Sequence, residues 1–154
     1  MAPTPKKSLF KPSAVKKQRR KLLLVDDHRF FVHSLTSLIN GEPDMMVCGL
    51  AESSEQLFQA VKQSNPDMIV LDIMLKEENG LEIAEMLRKE GIETPVLLIS
   101  ALVTPSSKDL QQIGRCVFCR KGDAPAILLR RARLGLTMSR ASGNTKRSKQ
   151  AAAA

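Results

Sequence analysis

Met68-Ile69-Val70-Leu71-Asp72 is four apolar residues closed by a carboxylate. An apolar run of this length, with no polar alternation, suits a strand covered on both faces. Working outward, Leu22-Leu23-Leu24-Val25 repeats the pattern and ends in Asp26-Asp27, and Val96-Leu97-Leu98-Ile99 repeats it and ends in Ser100. Shorter runs predict an edge strand at Met45–Cys48 and a last strand at Cys116–Cys119, which reaches Lys121. Amphipathic stretches lie between them. Residues 29–39 carry Phe31, Leu35, Leu38 and Ile39 at helical spacing, with Gly41 as the stop. Ser53 and Gln56 form a capping box ahead of Leu57, Ala60 and Val61. Leu81 to Arg88 is helical with Gly91 past its end, Ser106 to Ile113 is a short helix, and Pro125 opens a last one through Ile127, Leu128 and Leu134. Strands alternating with helices predict an α/β fold: a five-stranded parallel sheet with helices on both faces, in three layers.

A chain of 154 residues has the length of one domain, and 43% hydrophobic with 26% charged residues is ordinary globular composition. No apolar run reaches the length of a membrane span, and no apolar stretch follows the first lysines as a secretory signal requires, so a cytoplasmic protein is expected. The net charge of +8 is unevenly placed. Residues 1–21 hold eight Lys/Arg and residues 140–154 four, with no acid in either; the remaining 12 basic residues face all 16 acids within 22–139, a net of −4. Residues 1–20 and 137–154 therefore read as basic disordered arms flanking a mildly acidic domain at 21–136. Such arms predict weak, salt-sensitive, non-specific nucleic-acid contact.

Parallel strands bring their C-terminal ends together, and here those ends carry Asp26, Asp27, Asp72, Ser100 and Lys121. Asp26 and Asp27 can serve one site only if the chain is leaving its strand there, because strand neighbours point to opposite faces. Clustered carboxylates repel unless a cation neutralises them. Mg2+ suits a site of few carboxylates completed by water and phosphate. Asp72, held on a rigid strand, is the candidate nucleophile, since a carboxylate can form an acyl phosphate. Mg2+, Lys121 and the Ser100 hydroxyl would share the charge of a transferred phosphoryl group.

Leu24-Val25-Asp26-Asp27-His28, Val70-Leu71-Asp72-Ile73, Ile99-Ser100-Ala101 and Arg120-Lys121-Gly122-Asp123 resemble the signature blocks of the receiver domain of two-component response regulators. In motif style the receivers that precede LuxR-type helix-turn-helix domains are the most similar. The resemblance spans residues 21–136 and implies a flavodoxin-like sheet of order 2-1-3-4-5. It implies Mg2+ held by Asp26, Asp27, Asp72 and the Met74 backbone carbonyl, with Asp72 as phosphoacceptor. Ser100, Ala101 and Lys121 would bind the phosphoryl group, and Phe118 would be the aromatic switch. The implied partners are a histidine kinase or phosphotransfer protein and a downstream protein, with a homodimer left open. Receivers carry proline four residues past the acceptor, where this chain has Lys76, yet Gly80 closes the loop in register. Residues 104–115 also lack the usual Ala/Gly-rich helix end.

Eighteen residues beyond 136 are too few for an output domain, so the expectation is a stand-alone switch rather than a turnover enzyme. The competing reading is a pseudo-receiver adaptor that works through its basic arms without phosphorylation. A phosphatase of the haloacid-dehalogenase kind is disfavoured because its Asp-x-Asp pattern would need an acid where Met74 stands. His28 is expected at the rim of the pocket as a helix-entry residue. Cys116-Val-Phe-Cys119 has C-x-x-C spacing but lies on a strand, where the two thiols face opposite sides, so both are expected to be packed and inert.

Overall fold

A computed structural model describes residues 17–151. Its elements run β1 (Arg20–Val25), α1 (Arg29–Asn40), β2 (Met45–Ala51), α2 (Ser54–Ser64), β3 (Met68–Asp72), β4 (Met74–Leu75), β5 (Glu78–Asn79), α3 (Gly80–Lys89), β6 (Val96–Ser100), α4 (Ser107–Ile113), β7 (Cys116–Arg120) and α5 (Pro125–Ala151). Five strands form one parallel sheet in the order β2-β1-β3-β6-β7. This is the expected 2-1-3-4-5 order, because β4 and β5 are a separate two-residue antiparallel hairpin after β3.

Alternation along the strands divides the core in two. Leu22, Leu24, Met68, Val70, Leu97 and Ile99 face α1 and α5, packing on Leu35, Ile39, Leu128, Leu129 and Ala132. Leu23, Val25, Ile69, Leu71, Val96 and Leu98 face the other way, onto Leu57 of α2, Ile83, Ala84 and Leu87 of α3 and Ile113 of α4. Both faces of the central strands are therefore dry, which explains why the sequence shows continuous apolar runs there.

Local signals behave as their chemistry requires, with some displacement. Ser53 Oγ accepts from the Gln56 amide, but Gln56 Oε1 returns to the Glu52 amide rather than to Ser53. Ser106 and Asp109 make the full reciprocal capping box of α4. Gly80 is obligatory: a Cβ there would lie 2.3 Å from the Asp72 carbonyl oxygen. Lys76, at the proline position, takes φ +54 and turns the β4–β5 hairpin.

Several boundaries differ from expectation. β2 extends three residues past Cys48 and slips by one residue against β1, pairing Leu22 with Val47 and Leu23 with Gly49. Arg19 and Arg20, assigned from sequence to the N-terminal arm, belong to the fold. Arg19 donates to the carbonyls of Met45, Asn40 and Glu42, and Arg20 begins β1. The rest of that arm, residues 1–16, lies outside the described residues. α5 does not stop at 136; residues 137–151 contain no proline to end it. Ile127 and Leu134, read as part of its apolar face, are about half exposed.

Candidate functional site

β1 ends at Val25, so Asp26 and Asp27 stand just outside the strand, where both can turn toward one site. The Asp26 amide donates to the carbonyl of Ala51 at the end of β2, which fixes that exit. Asp72 is the last residue of β3, and Lys121 follows β7. Their side chains meet. Lys121 Nζ lies 2.7 Å from Asp26 Oδ2 and 2.9 Å from Asp72 Oδ2, both on carboxylates that are almost wholly buried. The ammonium also sits 4.7 Å from the centroid of the Phe31 ring.

His28 completes the cluster. Its amide donates to Asp26 Oδ1 at 2.8 Å, and its Nδ1 lies 3.0 Å from Asp26 Oδ1, 3.7 Å from Asp27 Oδ1 and 3.6 Å from Asp72 Oδ2. Asp26, Asp27, His28 and Asp72 each offer one ligating atom, all within 4.8 Å of one another. The ring is 63% exposed, at the rim as expected. What sequence reasoning missed is that it faces inward as a member of the group. Its position directly after the acidic couplet was the available signal.

Charge in this cluster is not balanced. Three carboxylates share one close lysine, and buried Asp27 Oδ1 has no hydrogen-bond partner among the described residues. Burial pushes the Asp72 carboxyl above its ordinary range; the Lys121 hydrogen bond and the Met74 amide pull it back, while the charge of Asp26 adds to the rise. An oxygen-rich, under-neutralised group of this kind fits a hard divalent cation, which would bring the positive charge the orphaned oxygen lacks. Asp27, Asp72, Met74, Lys76, Ala101, Leu102 and Lys121 line an open cavity of about 290 Å3 over it.

The remaining sequence candidates are placed less directly. Met74 lines the cavity, and its amide donates to Asp72 Oδ1 at 3.1 Å, so its backbone is held beside the acceptor. Ala101 lies on the cavity wall. The Ser100 hydroxyl is buried but accepts from the amides of Val103 at 3.0 Å and Leu102 at 3.4 Å, and its hydrogen bonds do not reach Asp72 or Lys121. Phe118 is half-buried against the α2–α4 side of the core. Cys116 and Cys119 pack on opposite faces of the sheet, and burial with the neighbouring Asp123 pushes the Cys119 thiol up to about 11. Neither is a thiolate at neutral pH, which agrees with inert packing.

A family model described as the response regulator receiver domain matches residues 22–121. A protein-glutamate methylesterase/protein-glutamine glutaminase of Pyrococcus horikoshii is 35% identical over 82 residues, 53% of this chain and 22% of the relative. An uncharacterized transcriptional regulatory protein of Bacillus subtilis is 32% identical over 85 residues, 55% of this chain and 42% of the relative. The chain thus spans less than half the length of these curated relatives. Among solved structures, the response regulator domain of Thermotoga maritima CheB superposes with a TM-score of 0.68 at 24% identity, covering 78% of this chain and 98% of that one. A LuxR-family two-component response regulator from Aurantimonas superposes at 0.68 with 20% identity, covering 78% and 86%. These likenesses concern the fold. Among the described residues no helix is long and apolar enough to cross a membrane.

Proposed function

The chain belongs to the response regulator receiver domain family, and from that membership we propose that Asp72 accepts a phosphoryl group from a histidine kinase or histidine phosphotransfer protein. The observation that carries this reading is the convergence of Asp26, Asp27 and Asp72 from two strand ends into one cluster, with Asp26 and Asp72 paired to the Lys121 ammonium. An Asp72 carboxylate oxygen attacks phosphorus, the O–P bond forms, the donor's N–P bond breaks, and the departing imidazole nitrogen recovers a proton from water. Asp26, Asp27, Asp72 and the Met74 carbonyl would hold Mg2+, which when bound supplies positive charge to the phosphoryl oxygens.

The chain's own residues do the rest. Lys121 holds the Asp72 carboxylate in place and is near enough to pair with an added phosphoryl oxygen. Ala101 and Leu102 wall the cavity on the β6 side. Ser100 carries a hydroxyl proton free to donate once a phosphoryl oxygen is present, and Phe118 lies on the same side of the core as a second moving part. Phe30 and Leu102, both almost fully exposed near the mouth, give a donor helix apolar ground to dock on. The added charge, roughly −1.5 to −2, is then what a downstream protein reads.

Incubation with acetyl phosphate and Mg2+ tests this. Mass spectrometry should find one phosphoryl adduct, on Asp72, lost in Asp72→Asn and on chelation of the ion. Equal labelling of Asp72→Asn and the unaltered protein would defeat the assignment.

A further inference from the structure

Nothing in an all-oxygen magnesium site requires an imidazole, yet His28 Nδ1 stands among the three carboxylates at 3.0 to 3.7 Å. The Lys121 ammonium shows what these groups do around a positive charge. Asp26 Oδ2, Asp72 Oδ2 and His28 Nδ1 approach the same Nζ at 2.7, 2.9 and 3.2 Å, so two carboxylates and one ring nitrogen already surround one cation. The same Nδ1 is also 3.0 Å from Asp26 Oδ1, and it presents a lone pair to a cation in the tautomer that carries the proton on Nε2.

The backbone explains why the ring is there. His28 is the residue before α1, in an extended conformation, and its amide is tied to Asp26 Oδ1. That bond turns the chain so that the residue after the couplet points back over it. The ring is exposed on its outer side, so it can take the place a water would hold, and no core packing fixes it elsewhere.

We propose that His28 is a metal ligand, making this a mixed nitrogen–oxygen centre that takes divalent transition ions, with Mn2+ as the paramagnetic probe, in preference to magnesium. Imidazole suits transition ions, whereas magnesium keeps oxygen and water ligands. The inference rests on the functional reading above, since it concerns the same carboxylates. It adds an ion preference that the carboxylates alone do not produce.

The full chain is titrated separately with MgCl2 and MnCl2 by calorimetry, and the Mn2+ complex is examined by pulsed electron paramagnetic resonance. The unaltered protein should show nitrogen hyperfine coupling to Mn2+. His28→Ala should lose that coupling and weaken Mn2+ binding on the order of tenfold, with Mg2+ binding changed by less than about twofold. Should His28→Ala fold poorly, His28→Asn keeps a good cap for α1 and must behave the same way. Absence of nitrogen coupling in the unaltered protein, or equal losses for both ions, overturns the ligand assignment while leaving Mg2+-dependent labelling of Asp72 intact. Failure of both ions to bind, together with no labelling of Asp72, overturns the functional reading as well.

Discussion

The two ends of the parallel sheet treat charge in opposite ways. At the end where the strands begin, several cations each hold more than one backbone or carboxylate acceptor, although buried Arg20 Nε reaches Asp67 only as an ion pair at 3.4 Å. Arg19 donates to three carbonyls. Lys21 Nζ donates to the carbonyl of Ser64. Arg88 donates to the carbonyls of Ile92, Thr94, Ile113, Gly114 and Arg115, gathering the chain ahead of β6 and β7, and Arg133 bridges Glu42 and Asp44. At the end where the strands finish, three carboxylates cluster, two of them on one ammonium, and a buried oxygen of the third has no hydrogen-bond partner among the described residues. One end is built to hold the layers together. The other leaves carboxylate charge under-neutralised.

If that contrast is right, the largest single loss of stability comes from the satisfied end. Arg88→Met strands up to five carbonyls and should cost about 3 kcal/mol in urea unfolding, on the scale of lost hydrogen bonds to a charged donor. A cost below about 1 kcal/mol would mean that water replaces the guanidinium without penalty, and the contrast would break.

The incomplete end should respond with the opposite sign. Burial raises the Asp72 carboxyl above its ordinary value of 3.8, so its charge opposes folding at neutral pH. Asp72→Asn in metal-free buffer should therefore raise the melting temperature by roughly 3 °C, about 1 kcal/mol. The gain should fade as pH falls through the raised value and vanish below 3.8, where the carboxyl is protonated folded or unfolded. Destabilisation at pH 7 would show that Lys121 already compensates the cluster.

The smallest effect sharpens the picture of the satisfied end. Arg133 holds Asp44 below its ordinary range chiefly through their hydrogen bond, so that bridge contributes above 3.8 and is lost as pH falls through the lowered value. Arg133→Met should cost under about 1 kcal/mol at pH 7, as exposed pairs do, and nothing near the acid midpoint. A pH-independent loss would assign the effect to the stem of Arg133 rather than to its charge.

How legible each end was follows from the range of its interactions. The central strands and the residues that close them could be read because burial on both faces leaves an unbroken apolar run, and because Asp72 is the last residue of its strand. Arg88 could not be read. Its partners lie on two backbone segments, 92–94 and 113–115, and an arginine on a polar helix face carries no local sign of them. Arg19 and Arg20 were hidden in a basic run whose composition resembles an arm. β2 was read short because Gly49 interrupts its apolar pattern. The inward turn of His28 depends on a side-chain-to-backbone bond two residues long, and the Ser100 hydroxyl is diverted to loop amides that no spacing rule anticipates.

The slip between β1 and β2 has a consequence of its own. One surplus residue, Cys48, sits on the sheet's outermost strand, so that rim cannot present an even ladder to a second molecule. Deleting Cys48 would straighten the rim while leaving Gly49, Leu50 and Ala51 opposite Leu23, Leu24 and Val25. Ala51 would keep its carbonyl on the Asp26 amide, so the acidic couplet would stay pegged while the chain gained a smooth border open to intermolecular pairing.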